Sequence, residues 1–393
     1  MEKNFRYDLQ SGVLYGLFYG VIGPFVLVQA RRLGATPFQV SFLAALPSIW
    51  MMFSPLWAVL FGKRNPFQAV MFFDGIARLL LICLVCRKSP NWYVFIFCLH
   101  YLFSAVSATV YGKAMRLAYP VESRGRLMGW VRVGSSVMQM ISTFLAGLLL
   151  PVWGVQKVFA LFAVFGVLSS LSFARIKKIT DESTLEKELN KPSSLDVLRT
   201  DRNYRRYILS LFCVGLANLM SAPVYALFQV DVLKIGDGFV STLAILASLM
   251  AVASYFFLGR FIDRYSAPYV TERIFVLNLG LHLIYLCAKS PWPLLIAALL
   301  QGIINAGHDL AVLNNVIHFA KEREISSYMA VHITFLGLRG TIGPLLGSFL
   351  LPLLSFKGIF FLALLINCFG IIQWSAEDKG FGMRFTSKGK FII

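Results

Sequence analysis

The stretch "NAGHDLAVLNN" puts Asn305, His308, Asp309, Asn314 and Asn315 between the apolar runs "PWPLLIAALLQGII" and "VIHFA". An adjacent imidazole and carboxyl can take up and release protons, and amides can hold a polar solute. In a bilayer such groups are costly and must turn toward protein or a water-filled cavity. On a helix, Gln301, Asn305, His308, Asp309 and Asn315 fall within about 120° of arc, whereas Asn314 points away.

Similar stripes recur along the chain. His100, Ser104, Ser107 and Tyr111 share a face, as do Tyr15, Tyr19 and Gln29, and Asn218, Ser221, Tyr225 and Gln229. Asp74 and Arg78 stand at i,i+4 spacing and can neutralise each other. Arg132 can snorkel or meet Asp74. Asp309 and Arg339 lie roughly 14 and 18 Å from the inner ends of their segments, at 1.5 Å per residue. That is close enough for a pair, either static or opened by a proton or substrate. The six cysteines all lie in apolar runs. "CLVC" at 83–86 has no His or Cys cluster near it, so neither a disulfide framework nor a metal site is expected.

The elements that must hold these groups are membrane helices. The 393 residues are 58% hydrophobic and only 14% charged, with mean hydropathy +0.70. A soluble domain carries about 25% charged residues. The net charge of +18 comes from short basic segments between apolar runs, a topology signal rather than a nucleic-acid footprint. Twelve stretches are long enough to span: about 12–30, 39–61, 67–86, 92–112, 127–150, 157–174, 207–229, 239–259, 272–288, 293–318, 327–350 and 357–374. The charged segment 175–206 divides them six and six and reads as a linker, with room for a short surface helix. The expected organisation is a bundle over 1–174, the linker, and a second bundle with a short tail over 207–393. With the N-terminus in the cytoplasm, 26 of the 37 Lys and Arg fall inside, 8 outside, and Arg78, Arg132 and Arg339 within spans. Both termini and the linker are therefore expected in the cytoplasm. The N-terminus lacks signal-peptide features.

The halves match at an offset of 200–201. "VSFLAALPSIWMMFSPLWAVLFGKR" (40–64) lies over "VSTLAILASLMAVASYFFLGRFIDR" (240–264), "LMGWVRVG" (127–134) over "YMAVHITF" (328–335), and "LAGLLLP" (145–151) over "LGSFLLP" (346–352). Six spans between copies give parallel repeats. Twelve spans, this repeat and a basic central linker resemble the major facilitator superfamily (MFS). "GRFIDRYS", with Gly259, Asp263 and Arg264, resembles its G-x-x-x-D-R-x-G signature, with Ser266 for the last Gly. In "VLFGKRNP" Lys63 replaces the signature's Asp. "YPVESRGRLMGW" resembles the superfamily's P-x-x-x-R-G-x-x-x-G loop. Span four has "HYLFS" where many proton-coupled members carry R-x-x-x-G. Span five has "FLAGLL" rather than G-P-x-x-G-G, while "GPLLGS" (343–348) stands in span eleven. Gly337, Gly340, Gly343 and Gly347 there mark close helix packing.

The resemblance implies an all-α integral membrane protein with two pseudo-symmetric six-helix bundles, in which spans one, four, seven and ten line a central cavity. Tyr15, Tyr19, Gln29, His100, Ser104, Tyr111, Asn218, Tyr225, Gln229, Gln301, Asn305 and His308 are then substrate-cavity candidates. Asp309 and Arg339 are proton-coupling candidates, and Gly259, Asp263 and Arg264 form an inside gate. The expected function is secondary transport of a small solute by alternating access, possible with or without protons. A transport-inactive receptor or assembly factor on the same scaffold is the alternative. No enzymatic chemistry, cofactor or nucleic-acid partner is expected; the partners are a small-molecule substrate, protons and the lipid of a bacterial inner membrane, and the chain is expected to act as a monomer.

Overall fold

A bilayer core offers no water to backbone N–H and C=O groups, so a spanning segment must satisfy them internally. The computed structural model describes residues 2–62, 64–179, 194–265, 267–320 and 324–375, and among these there are helices and no strand. They are α1 (Glu2–Ile22), α2 (Val26–Arg32), α3 (Pro37–Met52), α4 (Ser54–Phe61), α5 (Pro66–Ile82), α6 (Pro90–Ala118), α7 (Val121–Phe173), α8 (Ser194–Thr200), α9 (Arg202–Asp231), α10 (Asp237–Tyr265), α11 (Ala267–Cys287), α12 (Pro293–Phe319) and α13 (Ile325–Ser375). The starts follow local rules. Pro37, Pro66, Pro90 and Pro293 occupy first turns, where a missing N–H costs nothing. Thr36 and Gln39 form a capping box, and the side chains of Asn65 and Asp201 cap α5 and α9.

Among the described residues, nine helices or helix pairs are long and apolar enough to cross a membrane, and the pair α3/α4, bent by 50°, makes a tenth. Two of the nine are double-length. As straight rods, α7 and α13 would be about 75–80 Å long, more than twice the roughly 30 Å hydrocarbon core. They break instead at Gly154 (φ 76) and Ser355 (φ 60). Each arm of α7 and α13 is by itself of spanning length. Glycine takes this left-handed conformation without strain, whereas Ser355 carries a Cβ into it at the repeat-equivalent position.

The halves are built alike. In the first, α1 packs on α7, with Gly16 and Gly20 seated against the backbone at Ser135 and Gln139, and Thr143 Oγ1 donates to the Gly20 carbonyl at 2.8 Å. In the second, α9 packs on α13, with Gly343 and Gly347 against Leu219 and Met220. Gly340 and Gly337 of α13 instead face Ser48 and Met52 of α3, which joins the halves. The glycines expected to mark close packing thus serve two different neighbours. A second junction is α7 with α10, where Ser241 Oγ donates to the Thr143 carbonyl at 2.9 Å, and α2 and α3 also meet α9.

The second bundle begins earlier than expected. Asp201 caps α9, so helix starts at Arg202, inside the expected linker. Val197 of α8 is buried with Tyr204 and Tyr207, so this end of the linker docks on the second half. The rest of the linker, 180–193, and the tail, 376–393, lie outside the described residues. Below, the side carrying α8 and the start of α1 is the linker side, and the opposite one the far side.

Candidate transport cavity

Charge closes the far mouth. Arg31 Nε donates to both carboxylate oxygens of Asp231, at 2.8 and 3.0 Å, and its Nη1 to the Ala35 carbonyl at 2.8 Å. Arg32 pairs with Asp237 and donates to the Ile235 carbonyl at 2.6 Å. Gln29 Nε2 donates to Asp237 at 2.6 Å. Each of these bonds to Asp231, Ile235 or Asp237 joins the first half to the second. Gln29, expected in the cavity, is buried in this closure.

Below the closure α7 and α10 differ in exposure along their lengths. Thr143, Ala146, Val240 and Ser241 are buried, whereas Trp130 and Phe256, toward the linker side, are each 61% exposed. Tyr15 and Tyr19 are stacked, with centroids 5.6 Å apart and planes at 17°, and both are more than one-third exposed. Tyr111 is similarly exposed and packs on Phe173. On α12, Gln301 Nε2 donates to Asn305 Oδ1 at 2.8 Å, and Asn305 and Asp309 are exposed. Tyr255 of α10 donates its hydroxyl to Asp309. Arg132 is exposed on α7, within electrostatic reach of Tyr15, Tyr111 and Tyr255, groups that belong to both halves.

Other candidates face helices. His100 is buried against Phe18, Phe97 and Tyr101, with Nδ1 2.8 Å from the Ala77 carbonyl. Ser107 is buried and Ser104 half-buried. The stripe on α12 divides: Gln301, Asn305 and Asp309 follow one line, while His308 packs near Phe275 and buried Asn315 donates to Thr271 Oγ1 at 2.6 Å. The stripe on α9 meets a complementary row on α11. Asn218 Nδ2 donates to Asn278 at 2.5 Å, Tyr225 Oη lies 2.6 Å from His282 Nδ1, and Gln229 Nε2 donates to Tyr285 Oη at 2.8 Å. Tyr225 and Tyr285 stack with centroids 3.8 Å apart. Sequence reasoning missed Asn278, His282 and Tyr285, although their i, i+4, i+7 spacing in "NLGLHLIY" was there to read. It also missed Tyr255, which stands alone in an apolar run. A cavity of about 220 Å³ between α9, α10, α11 and α12 is lined by Gln229, Tyr285 and Gln301 with Leu243, Ala247 and Leu281.

The expected Asp309–Arg339 pair is not formed. Arg339 is buried, donates to the Leu211 carbonyl, and lies against Gly215, where a Cβ would displace its guanidinium. Asp309 is met by Tyr255 of α10, whereas Arg339 turns to α9. Nor does Arg132 take Asp74. Arg78 holds it at 2.8 Å, and also donates to the Gly166 carbonyl at 2.7 Å and to Ser170 Oγ at 2.9 Å. Of the inside-gate candidates, Gly259 has open space beside it and Arg264 lies over the Tyr265 ring of its own helix at 5.3 Å. The side chain of Asp263, and residues Lys63 and Ser266, lie outside the described residues.

These polar side chains lie between two similarly built halves that are joined by charge at the far side, and the fold is one that known proteins share. The chain is 24% identical over 398 residues to the multi-drug resistance efflux pump PmrA of Streptococcus pneumoniae, covering 95% of this chain and 96% of that one. It is 20% identical over 374 residues to the multidrug resistance protein MdtG of Proteus mirabilis, covering 91% and 92%. Among solved structures it is similar to the nucleoside transporter NupG, with TM-score 0.71, 11% identity and coverage of 97% and 99%. It is also similar to a bacterial homolog of the human lysosomal transporter Spinster, with TM-score 0.68, 12% identity and coverage of 95% of each chain. The profile of the Major Facilitator Superfamily matches residues 11–288 and 207–385, and the chain belongs to that family of membrane transporters.

Proposed function

We propose that the protein is a secondary transporter that exports amphipathic organic compounds, by alternating access, from a cavity loaded on its linker side. The observation that carries this reading is the far-mouth closure. It consists of ion pairs and hydrogen bonds between the halves, at Arg31–Asp231 and Arg32–Asp237. Arg31–Asp231 is partly exposed and of small net stability, and Arg32–Asp237 is a single charge-assisted contact, so such a closure is specific in geometry yet separable when the halves rock. The basic asymmetry supports a cytoplasmic linker side with both termini there, and the bacterial relatives support an inner membrane. Loading there and release at the far mouth is export, in keeping with the names of the efflux relatives.

The substrate class follows from the lining. Stacked Tyr15 and Tyr19 offer flat aromatic faces, the chamber near Tyr285 takes apolar bulk, and Asp309 supplies a carboxylate. Together they suit aromatic compounds carrying positive charge. Asp309 binds either the cationic solute or a proton, which couples their movements in opposite directions. In proteoliposomes, a cationic aromatic dye should be driven uphill by a pH gradient. Asp309→Asn should abolish accumulation while leaving exchange at equal concentrations. No dye movement by the wild-type protein would sink the transport reading, and accumulation by the variant at the wild-type level would sink the coupling assignment alone.

A further inference from the structure

The second half buries a cation that the transport scheme does not use. Arg339 stands well inside α13, about 21 Å along the helix from Ile325, and is 8% exposed. Its Nη1 donates to the Leu211 carbonyl, and its Nε has no hydrogen-bond partner among the described residues. The helix opposite makes room for it. Gly215 of α9 lies against the guanidinium, and a Cβ there would overlap Nη1.

The neighbouring helices offer little negative charge. The sequence of α13 contains no Asp or Glu, and that of α9 only Asp231, which Arg31 holds at the far mouth. Asp309, the one carboxylate of α12, accepts from the Tyr255 hydroxyl. Among the described residues no carboxylate, Glu272 of α11 included, pairs with Arg339. The buried charge of the first half is served differently: Arg78 has Asp74, the Gly166 carbonyl and Ser170.

The groups around Arg339 can donate. His332 lies two turns earlier on the same face of α13; it is buried, and its Nδ1 has no partner among the described residues. His308 of α12 is within electrostatic reach of both Arg339 and His332. Tyr207 of α9 is within reach of Arg339 and is hydrogen-bonded to Asn315. A guanidinium carries five N–H donors, and each neutral imidazole adds one. A charge this deep needs a counter-charge, and the chain supplies none at this place. Donors converging from two helices suit a small spherical anion, and the enclosure is too tight for a bulky one.

We propose that Arg339, His332 and His308 hold a chloride ion between α9, α12 and α13. The ion neutralises Arg339 and ties these three helices together. It resides in the second half and is distinct from the transported solute.

The test is thermal unfolding of the purified full chain in detergent with sodium chloride, sodium acetate or sodium methanesulfonate at matched ionic strength. Chloride should raise the wild-type midpoint saturably, by roughly 2–4 °C over methanesulfonate. Arg339→Met removes the charge that needs the ion, and its midpoint should be the same in all three salts. His332→Leu should raise the half-saturating chloride concentration about tenfold, as expected for one lost hydrogen bond to a charge. If Arg339→Met does not purify folded, saturable retention of radiolabelled chloride by the wild-type protein, displaced by bromide and not by methanesulfonate, supports the site, and absence of retention overturns it. No chloride shift in the wild type, or an equal one in Arg339→Met, overturns the proposal. An unchanged half-saturating concentration in His332→Leu overturns the site as drawn. A saturable shift with acetate and none with chloride makes the ligand a carboxylate, such as a solute would bring, and overturns the halide assignment.

Discussion

At equivalent places in the repeat the two halves anchor an outer helix differently. In the first, Arg78 of α5 binds Asp74, the Gly166 carbonyl and Ser170, and lies over the rings of Tyr15 and Phe18 at 5.3 and 5.7 Å. In the second, the corresponding residue is Asn278 of α11, bonded to Asn218 and to its own helix at Ile274. A buried charge is tolerable only with several partners, so the first arrangement tolerates little change. An amide pair holds less tightly and leaves no stranded charge when it slips. The difference teaches that the first half holds its outer helix through a buried charge, behind Tyr15 and Phe18. The second half holds α11 to α9 through neutral amides, and its buried charge, Arg339, sits on α13 instead.

The largest effect is expected from stranding Arg78. Asp74→Leu should cost about 3–5 kcal/mol of stability, and Asp74→Leu/Arg78→Met should recover much of it. Asn278→Leu should cost about 1–3 kcal/mol. Thermal and denaturant unfolding of the purified variants measure all three. Equal losses from Asp74→Leu and Asn278→Leu would erase the contrast between the halves.

Next is the far mouth. Asp237 holds Arg32 and Gln29 together, and Asp237→Asn weakens a charge-assisted contact worth about 1.5–3 kcal/mol. The population open on the far side should rise tenfold or more. Spin labels at exposed positions 36 and 234 read this as a new, longer distance. An unchanged distribution would mean that apolar packing, not charge, keeps this mouth shut. A smaller effect is expected at Tyr255→Phe, which removes the hydroxyl bonded to Asp309. Accumulation driven by a pH gradient should slow without loss of exchange, and less than in Asp309→Asn. If Tyr255→Phe matches Asp309→Asn in the same assay, the hydroxyl is itself part of the coupling step. The smallest change should come from Arg31→Gln. Its pair with Asp231 is more than one-quarter exposed on both sides and worth about 0–1 kcal/mol. A shift in label distance as large as that of Asp237→Asn would show that the two pairs act as one unit.

Part of the polar pattern was legible. Tyr15, Tyr19, Asn305 and Asp309 are exposed side chains on common stripes because helical period alone sets which residues share a side. The misplacements have one cause. Gln29 and Gln229 are repeat equivalents, yet one closes the far mouth and the other bonds Tyr285. His100 and His308 lie on polar stripes but pack against neighbouring helices. Period gives the angle of a residue on its own helix, and not which neighbour stands at that angle.

Composition and spacing were enough for the helical membrane fold, the repeat and its breaks. Those depend on how much apolar length a bilayer demands and on where the pattern recurs, both local properties of the chain. Partner choice required the packed structure. Asp309 reaches Tyr255 rather than Arg339, and Arg339 reaches a carbonyl beside Gly215, because helix rotation and glycine-lined contacts set which side chains meet. The cluster of Arg339, His332, His308 and Tyr207 gathers three helices distant in sequence, which come together only once α9, α12 and α13 have packed.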